Sequence, residues 1–337
     1  MTDPIRSTPR LAARFANLGA ALVLGLLATG APQAQTAAAY PQKSIRLVVP
    51  FPPGGYADNL SRLIATDLTQ TFGHPVVVEN RAGAGGMIGA DAVAKSTPDG
   101  YTLLMGTIGT HAINSALYRK MNYDALKDFA PVAFVADAET VLVVPPNGVA
   151  RTVAALVAQA KSRPDQITYA SAGPGSTSHL TGELFKSATE TAIVHVPYKG
   201  NSPALTDLMA GQVNLSFATM QTALPFIRSG KLSALATLGT SRSGALPNVP
   251  TLDEAGVKGV PARNWIGLFA AAGTPEPILA RLAAETDRIM RSADIQAKLH
   301  NEGLKYTAMG PDAFAGFVRA EAAQWAKVVR SVGVQAD

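Results

Sequence analysis

The chain has 337 residues, of which 47% are hydrophobic and 16% are charged, and it contains no cysteine. This length predicts two domains of ordinary size, each able to bury a core. The lack of cysteine excludes disulfides, zinc–thiolate sites, cysteine nucleophiles and a lipidated N-terminal cysteine. A net charge of +5 without any lysine- and arginine-rich run argues against nucleic acid as a partner.

The N-terminus has the three-part layout of a secretory signal peptide. Three arginines precede an apolar run of 11 residues over 18–28, and small residues follow it to residue 39. This run is too short for a membrane span, which needs about 20 residues. We therefore predict that residues 1–39 are a signal peptide, cleaved between 34 and 39, and that the mature protein is exported. An uncleaved N-terminal anchor is the alternative.

The next segment predicts a buried strand over 45–51, a glycine-rich turn over 52–58 and a helix to about Phe72. The strand is apolar on both faces, as in a parallel sheet covered by helices. Gly54 and Gly55 allow the backbone to come close to a ligand, and the first N–H groups of a helix attract an anion. The turn is therefore either an anion cradle or an ordinary strand-to-helix connection.

The rest of the chain alternates strands with helices, which predicts an α/β fold built from βαβ units. Further strands are predicted at 75–79, 101–105, 130–136, 141–145, 167–171, 193–197, 213–218, 232–237 and 265–272. Further helices are predicted to about 95 and at 152–162, 176–188, 203–210, 277–291, 293–302 and 311–331.

Three more predicted strand ends carry turns rich in Gly, Ser and Thr, at 82–89, 106–111 and 172–179. Ligands of open α/β sheets bind at the carboxyl ends of the strands, so four such turns favour a ligand cleft between two lobes. We predict that lobe 1 consists of residues 40–140 and about 265–337, and that lobe 2 spans about 141–264.

Three polar side chains near these turns have structural as well as functional interpretations. Asp58 either caps the helix after Gly55 or holds the Gly54–Gly55 turn with its N–H groups towards a ligand, and we favour the second role. His179 can cap its helix, pack or face the cleft. His195, inside an apolar strand, is predicted to be a core residue.

Other kinds of site are disfavoured. The spacing G-x-G-x-x-x-G over 83–89 differs from the dinucleotide fingerprint, so we expect no cofactor. The five histidines form no H-x-x-x-H or H-E-x-x-H pair, so we expect no metal. The run over 173–178 lacks a G-x-S-x-G elbow and no nucleophile–base pair is apparent. We therefore predict that the protein is not an enzyme.

Ordered motifs along the whole mature chain resemble the substrate-binding proteins of tripartite tricarboxylate transporters, the Bug family of periplasmic solute receptors. The motifs are YPQKSIR at 40–46, PFPPGGYAD at 50–58, ENRAGAGG at 79–86, DGYTL at 99–103, THAIN at 110–114, SAGPGS at 171–176, VPYKG at 196–200, PALTD at 203–207, GKL at 230–232, PNVPT at 247–251 and GTP at 273–275.

The resemblance implies a type II periplasmic-binding-protein fold, in which two α/β lobes joined by hinge strands close on a ligand. It also implies a monomeric periplasmic receptor that delivers a small organic acid to membrane permease subunits. In the family, main-chain amides and hydroxyls hold one carboxylate of the ligand. The ligand contacts expected here are Phe51, Gly54, Gly55, Tyr56, Ala57, Thr107, His111, Ser171, Ser176, Thr177 and Tyr198, supported by Asp58 and His179.

The sequence departs from the family pattern at three positions. Ala218 stands where the family often carries Asp, which argues against an amino acid ligand. Pro52 and Tyr56 replace smaller or different residues of the opening turn. These changes favour a di- or tricarboxylate, or an aromatic carboxylate stacked near Phe51 or Tyr56. The alternatives to a transport receptor are an exported α/β enzyme acting on carboxylates and a ligand sensor for a signalling partner.

Overall fold

The structure, a computed structural model, describes residues 1–2, 40–239, 241–260 and 263–335. The charged and apolar parts of the predicted signal peptide fall within 3–39 and lie outside the described residues. The described residues from Pro41 onward form one compact unit. In this described part of the chain, no helix is long and apolar enough to cross a membrane.

Strands and helices alternate along most of the chain. The strands are β1 (Ile45–Val49), β2 (Val76–Asn80), β3 (Thr102–Thr107), β4 (Phe129–Ala138), β5 (Thr140–Val144), β6 (Thr168–Ser171), β7 (Val194–Pro197), β8 (Leu215–Thr219), β9 (Ser233–Thr237), β10 (Asn264–Ala271) and β11 (Leu304–Lys305). The helices are α1 (Tyr56–Phe72), α2 (Met87–Ala94), α3 (Asn114–Leu117), α4 (Val153–Ser162), α5 (Thr177–Thr189), α6 (Asn201–Met209), α7 (Met220–Arg228), α8 (Glu276–Met290), α9 (Ala293–Asn301) and α10 (Pro311–Val332).

The strands form two mixed sheets, with strand orders β11-β4-β10-β3-β1-β2 and β7-β6-β8-β5-β9. β1 pairs in parallel with β2 and β3, and β6 pairs in parallel with β7 and β8. The predicted parallel pairing is wrong for β4, β5, β9 and β10, which pair antiparallel. The unpredicted strand β11 also pairs antiparallel, with β4. The crossover connections that parallel pairing needs are replaced here by direct passages between the sheets.

The chain passes from the first sheet to the second at Glu139, the single residue between β4 and β5. The Glu139 N–H donates to the Gly303 carbonyl at 3.1 Å, and its own carbonyl accepts from the Met220 N–H at 2.7 Å. Its carboxylate pairs with Lys305 at 2.8 Å. The chain returns to the first sheet between β9 and β10. We call the parts built on the first and second sheets lobe 1 and lobe 2; their exact boundaries stay a prediction.

The second sheet is buried on both faces, as its apolar strands predict. Leu142 and Val144 belong to one apolar cluster, whereas Val141 and Val143 belong to another. Because successive side chains of a strand point to opposite faces, these two clusters lie on opposite sides of β5. The helices of lobe 2 therefore cover both faces and leave the strand ends as the place for polar side chains.

Candidate functional site

The opening turn is held by the buried carboxylate of Asp58, which is 3% exposed. Asp58 accepts the Gly54 N–H at 3.0 Å, two bonds from Arg62 at 3.0 Å and one from the Asn80 amide at 2.9 Å. Burial opposes ionisation, but the bonds from Arg62, Gly54 and Asn80 hold the Asp58 pKa below its usual value. Asp58 therefore holds the turn through a carboxylate whose ionised form the fold favours.

The Gly54 N–H donates to Asp58 and is therefore not available to a ligand, although the family pattern predicts a ligand contact at Gly54. Gly54 has a φ of +83°, which favours glycine. The first intrahelical bond of α1 runs from the Asn59 N–H to the Gly55 carbonyl. The N–H groups of Tyr56 and Ala57 precede it and have no acceptor within the helix. The donors that remain available at this turn are therefore the backbone N–H groups at the start of α1.

The Tyr56 side chain belongs to a polar network that joins the lobes. Its hydroxyl donates to Asn264 Oδ1 at 2.7 Å, and Asn264 Nδ2 donates to Thr219 Oγ1 at 3.1 Å. Asn201 Nδ2 donates to the same Thr219 oxygen at 3.0 Å. Burial, and then the nearby charge of Asp137, raise the Tyr56 pKa well above its usual value, so the phenol stays protonated. Of these four residues, only Tyr56 is among the ligand contacts predicted from the sequence.

The second turn, at the start of α5, is ordered by its own hydroxyls. Ser176 caps α5 by accepting the His179 N–H at 3.3 Å and donates to the Gly173 carbonyl at 2.6 Å. Ser178 Oγ accepts the Ala172 N–H at 2.9 Å. Thr177 begins the helix and is largely buried. Side chains therefore hold this turn in one conformation.

Two stacked histidines hydrogen-bond the same turn and hold it in place. The rings of His179 and His195 lie 3.9 Å apart and nearly parallel. His179 Nδ1 accepts the Gly175 N–H at 3.0 Å, and His195 Nε2 lies 2.6 Å from Ser171 Oγ. Burial lowers the pKa of both rings, that of His195 to about 4. His195 was predicted to be a core residue, but it is half-buried and hydrogen-bonds the turn through Ser171.

The Ser171–His195 pair has the composition of an activated nucleophile, which the sequence did not reveal. However, Ser171 is completely buried, and its Oγ also accepts the Gly173 N–H at 3.1 Å. A substrate carbonyl cannot reach an oxygen enclosed in this way. The pair orders the turn.

Two predicted ligand contacts, His111 and Thr107, are buried within lobe 1. His111 is completely buried, stacks on Phe269 at 3.8 Å and meets Phe129 edge-on at 4.7 Å. Burial lowers its pKa to about 3. The hydroxyl of Thr107, 3% exposed, accepts the N–H of Thr110 at 3.3 Å. His111 therefore packs in the core, and Thr107 uses its hydroxyl within its own turn.

Two further predicted residues keep only part of their expected roles. The Tyr198 hydroxyl donates to Asp207 at 2.8 Å, and burial raises its pKa to about 12, so its polar end is engaged within lobe 2. Phe51 is half-buried, and its carbonyl accepts the Asn80 amide at 3.1 Å.

Ala218 faces the apolar cluster of lobe 2, so the next residue of β8, Thr219, is the one that reaches the polar network.

A cleft of about 360 Å³ adjoins the opening turn and has walls from both lobes. Its lining combines polar and apolar side chains and contains Gly54, Asn59, Ser202, Gln221, Thr222, Leu224, Pro225, Phe226, Arg228, Asn301 and Glu302. Elsewhere the lobes are in close contact: Gly175 of lobe 2 lies so near the Leu117 side chain of lobe 1 that an added Cβ atom would be only 1.8 Å from it. The site is therefore built where the two lobes meet.

This arrangement is that of a two-lobed solute-binding receptor, and solved structures agree. A protein of R. palustris solved with adipate is 38% identical, with a TM-score of 0.85, covering 88% of this chain and 99% of that one. MatC from Rhodopseudomonas palustris, solved with bound malate, is 35% identical, with a TM-score of 0.81, covering 86% and 100%. The predicted fold is thus confirmed.

Sequence comparison identifies the family. The model of the tripartite tricarboxylate transporter family receptor, TctC, matches residues 60–334. Protein BugT of Bordetella pertussis is 40% identical over 297 residues, which cover 88% of this chain and 91% of BugT. The chain therefore belongs to the tripartite tricarboxylate transporter receptor family, which confirms the predicted resemblance.

Proposed function

We propose that the mature chain is a periplasmic receptor that captures a small organic carboxylate between its lobes and delivers it to the permease of a tripartite tricarboxylate transporter. Two relatives were solved with the dicarboxylates adipate and malate, which supports a ligand of this class. A ligand that contacts both lobes stabilises the closed conformation. The export signal predicted within residues 1–39 supports the periplasmic location.

The observation that carries this proposal is the start of α1. Its N–H groups carry partial positive charge, and the turn before them is fixed by the buried Asp58 cluster. Arg62, the cation of that cluster, already pairs with Asp58 at 3.0 Å. The proposed carboxylate site at Gly55, Tyr56 and Ala57 thus uses neutral backbone donors, which hold an anion while permitting its release.

Lobe 2 is proposed to close on the ligand with the turn at the start of α5. Ser176 and Thr177 are the proposed contacts there, with His179 and Ser171 holding the turn in place. We also retain Phe51 as a proposed apolar wall. The Gly54 amide, the Thr107 hydroxyl and His111 are left out of the proposed contacts because their partners lie within lobe 1.

The proposal includes no catalytic step, since the enclosed Ser171 cannot attack a substrate. Calorimetric titration of residues 40–337 with a panel of mono-, di- and tricarboxylates tests it, and at least one acid is expected to bind. If none binds, the proposal is wrong. Chemical change of a bound acid, followed by NMR, would point to an enzyme instead. Unchanged uptake of that acid after deletion of the gene would point to a sensor.

A further inference from the structure

We propose that the start of α5 carries a latch between the lobes, formed by Leu180 and Gly175 of lobe 2 against the apolar cluster of lobe 1. This latch favours the closed form before any ligand arrives, and it thereby sets the affinity for every ligand of the cleft. The inference rests on the proposed function, because it concerns the regulation of the same cleft.

The first argument is where Leu180 is buried. Its side chain is completely buried, and it belongs to the apolar cluster that contains Leu117, Trp325 and Val329 of lobe 1. Among the described residues, every other buried member of this cluster comes from lobe 1. Accordingly, α5 packs against α10, the last helix of lobe 1. Leu180 is therefore a side chain of lobe 2 that lies in the core of lobe 1.

The second argument is that α5 divides its apolar residues between the two lobes. Phe185 is also completely buried, but it belongs to a cluster of lobe 2, where it packs against Phe217. Leu180 and Phe185 are five residues apart, which places them about 140° apart around the helix. One face of α5 thus holds the helix on its own sheet, and another face contacts lobe 1.

The turn before α5 makes a second contact with lobe 1. Gly175 is buried, and a Cβ atom added to it would lie 1.8 Å from the Leu117 side chain. The Gly175 N–H donates to His179 Nδ1 at 3.0 Å, and the Leu180 N–H donates to the Ser176 carbonyl at 3.1 Å. These bonds connect both contacts to Ser176, a proposed ligand contact, so the latch and the ligand-binding turn move together.

The third argument is that the latch lies away from the strands through which the chain passes between the lobes. In the second sheet, β5 and β9 make these passages and occupy one edge, whereas β6, which leads into α5, is separated from β5 by β8. Strand spacing places β6 roughly 10 Å from β5. A rotation of the lobes about β5 and β9 would therefore separate α5 from lobe 1 and expose Leu180.

The loss of this contact opposes opening. Complete burial of a leucine side chain favours the buried form by a factor of about ten to a hundred. When the closed form is the minor one, the apparent affinity of a ligand that binds only this form is proportional to the closed fraction. Because Leu180 acts through closure, it should raise the affinity for each acid by the same factor, whatever that acid contacts in the cleft.

Calorimetry on residues 40–337, with the acids that the wild-type protein binds, tests this factor. Leu180→Ala should weaken the binding of all of them by about tenfold, and Leu180→Met, which conserves volume, should keep the wild-type affinity. Leu156→Ala is the matched control, since Leu156 is completely buried in the cluster of lobe 2. It should lower the free energy of unfolding in urea and leave the affinity unchanged. Should Leu180→Ala not fold, Leu180→Val gives the same test with a smaller effect.

The absence of native cysteine allows closure to be measured directly. Spin labels attached through Ser187→Cys in α5 and Gln324→Cys in α10, both at exposed positions, report the distance between these helices by double electron–electron resonance. Without ligand, the otherwise wild-type protein should show a short-distance population that Leu180→Ala reduces and Leu156→Ala does not. A saturating acid should restore this population in Leu180→Ala.

The outcomes separate the latch from the proposed function. If the wild-type protein binds no acid, the proposed function is wrong, and the label distances without ligand still test the latch. If it binds acids but Leu180→Ala keeps the wild-type affinity or the wild-type distances, the latch is wrong and the proposed function stands. A loss of affinity for some acids only would make Leu180 a ligand contact and would also overturn the latch. A uniform loss with a reduced short-distance population supports it.

Discussion

Replacement of Asp58 by asparagine tests how the opening turn is held. The carboxylate accepts hydrogen bonds from the Gly54 N–H, the Asn80 amide and Arg62 at 2.9–3.0 Å. An asparagine of the same shape keeps one acceptor oxygen, but its NH2 group replaces the other oxygen and faces a group that is itself a hydrogen-bond donor. The change therefore removes charge and creates a clash between donors without leaving a large cavity.

The expected size follows from the buried bonds. A hydrogen bond to a charged group contributes about 1.5–3 kcal/mol. The Arg62 side chain is 53% exposed, so solvent screens its share and we discount it. The bonds from Gly54 and Asn80 remain, and the lost acceptor corresponds to about 2–3 kcal/mol of the free energy of unfolding.

The pH dependence of stability gives a second readout. The folded state holds the Asp58 pKa below its usual value of 3.8, because the bonds from Arg62, Gly54 and Asn80 outweigh the opposing effect of burial. The unfolded chain therefore takes up this proton first as the pH falls. The stabilisation is complete above the usual value and is lost as the pH falls through the folded-state pKa. Asp58→Asn should lack this part of the acid destabilisation.

Urea unfolding at neutral pH and at several acid pH values measures both effects. Asp67→Asn, on the same helix and outside the Asp58 cluster, is the control for loss of a carboxylate from α1. Calorimetry with the best ligand should show weaker binding by Asp58→Asn only. An unchanged urea midpoint together with an unchanged acid dependence would refute the assignment of Asp58 as the support of the turn.

Three further substitutions test other parts of the site. Gly55→Pro removes the backbone N–H at a position whose φ of −80° proline can adopt. The control Gly55→Ala keeps the N–H, and its added Cβ atom would meet only the Pro52 carbonyl at 3.9 Å. Calorimetry should show lost binding for Gly55→Pro alone, and equal affinities of the two variants would contradict the anion cradle. Ser176→Ala and Thr152→Ala each remove a helix N-cap and should each cost about 1 kcal/mol in urea unfolding. Only Ser176→Ala should also weaken ligand binding. His111→Phe should leave ligand affinity unchanged, and a large loss would return His111 to the site. Because burial lowers the His111 pKa from 6.5 to about 3, the unfolded chain binds this proton first, and the variant should lose less stability below pH 6.5.

Local patterns predicted most strands and helices, since apolar runs and turn residues are local signals. The helix α7 was missed because Pro225 lies inside it, and proline ordinarily ends a helix. The short strand β11 was missed because only pairing with β4 defines it, through Leu304 opposite Ala138. Antiparallel pairing of β10 also depends on tertiary structure, which no local pattern encodes.

The candidate site was predictable where one turn contains both partners. Asp58 and Gly54 are four residues apart, and their expected association is present. The Tyr56–Asn264 bond joins residues 208 positions apart, and the Asn264–Thr219 bond spans 45, so a single sequence gives no sign of either. The burial of His111 was unpredictable for a related reason: its motif fixes its place in the chain, but contacts with the distant Phe129 and Phe269 place its ring in the core.

A crystal structure of the complex with the tightest-binding acid tests the central claim most directly. Our account predicts a carboxylate with oxygens about 2.7–3.2 Å from backbone N–H groups of Gly55, Tyr56 or Ala57, in contact with both lobes. A ligand bound elsewhere, or held by charged side chains with the start of α1 empty, would contradict it.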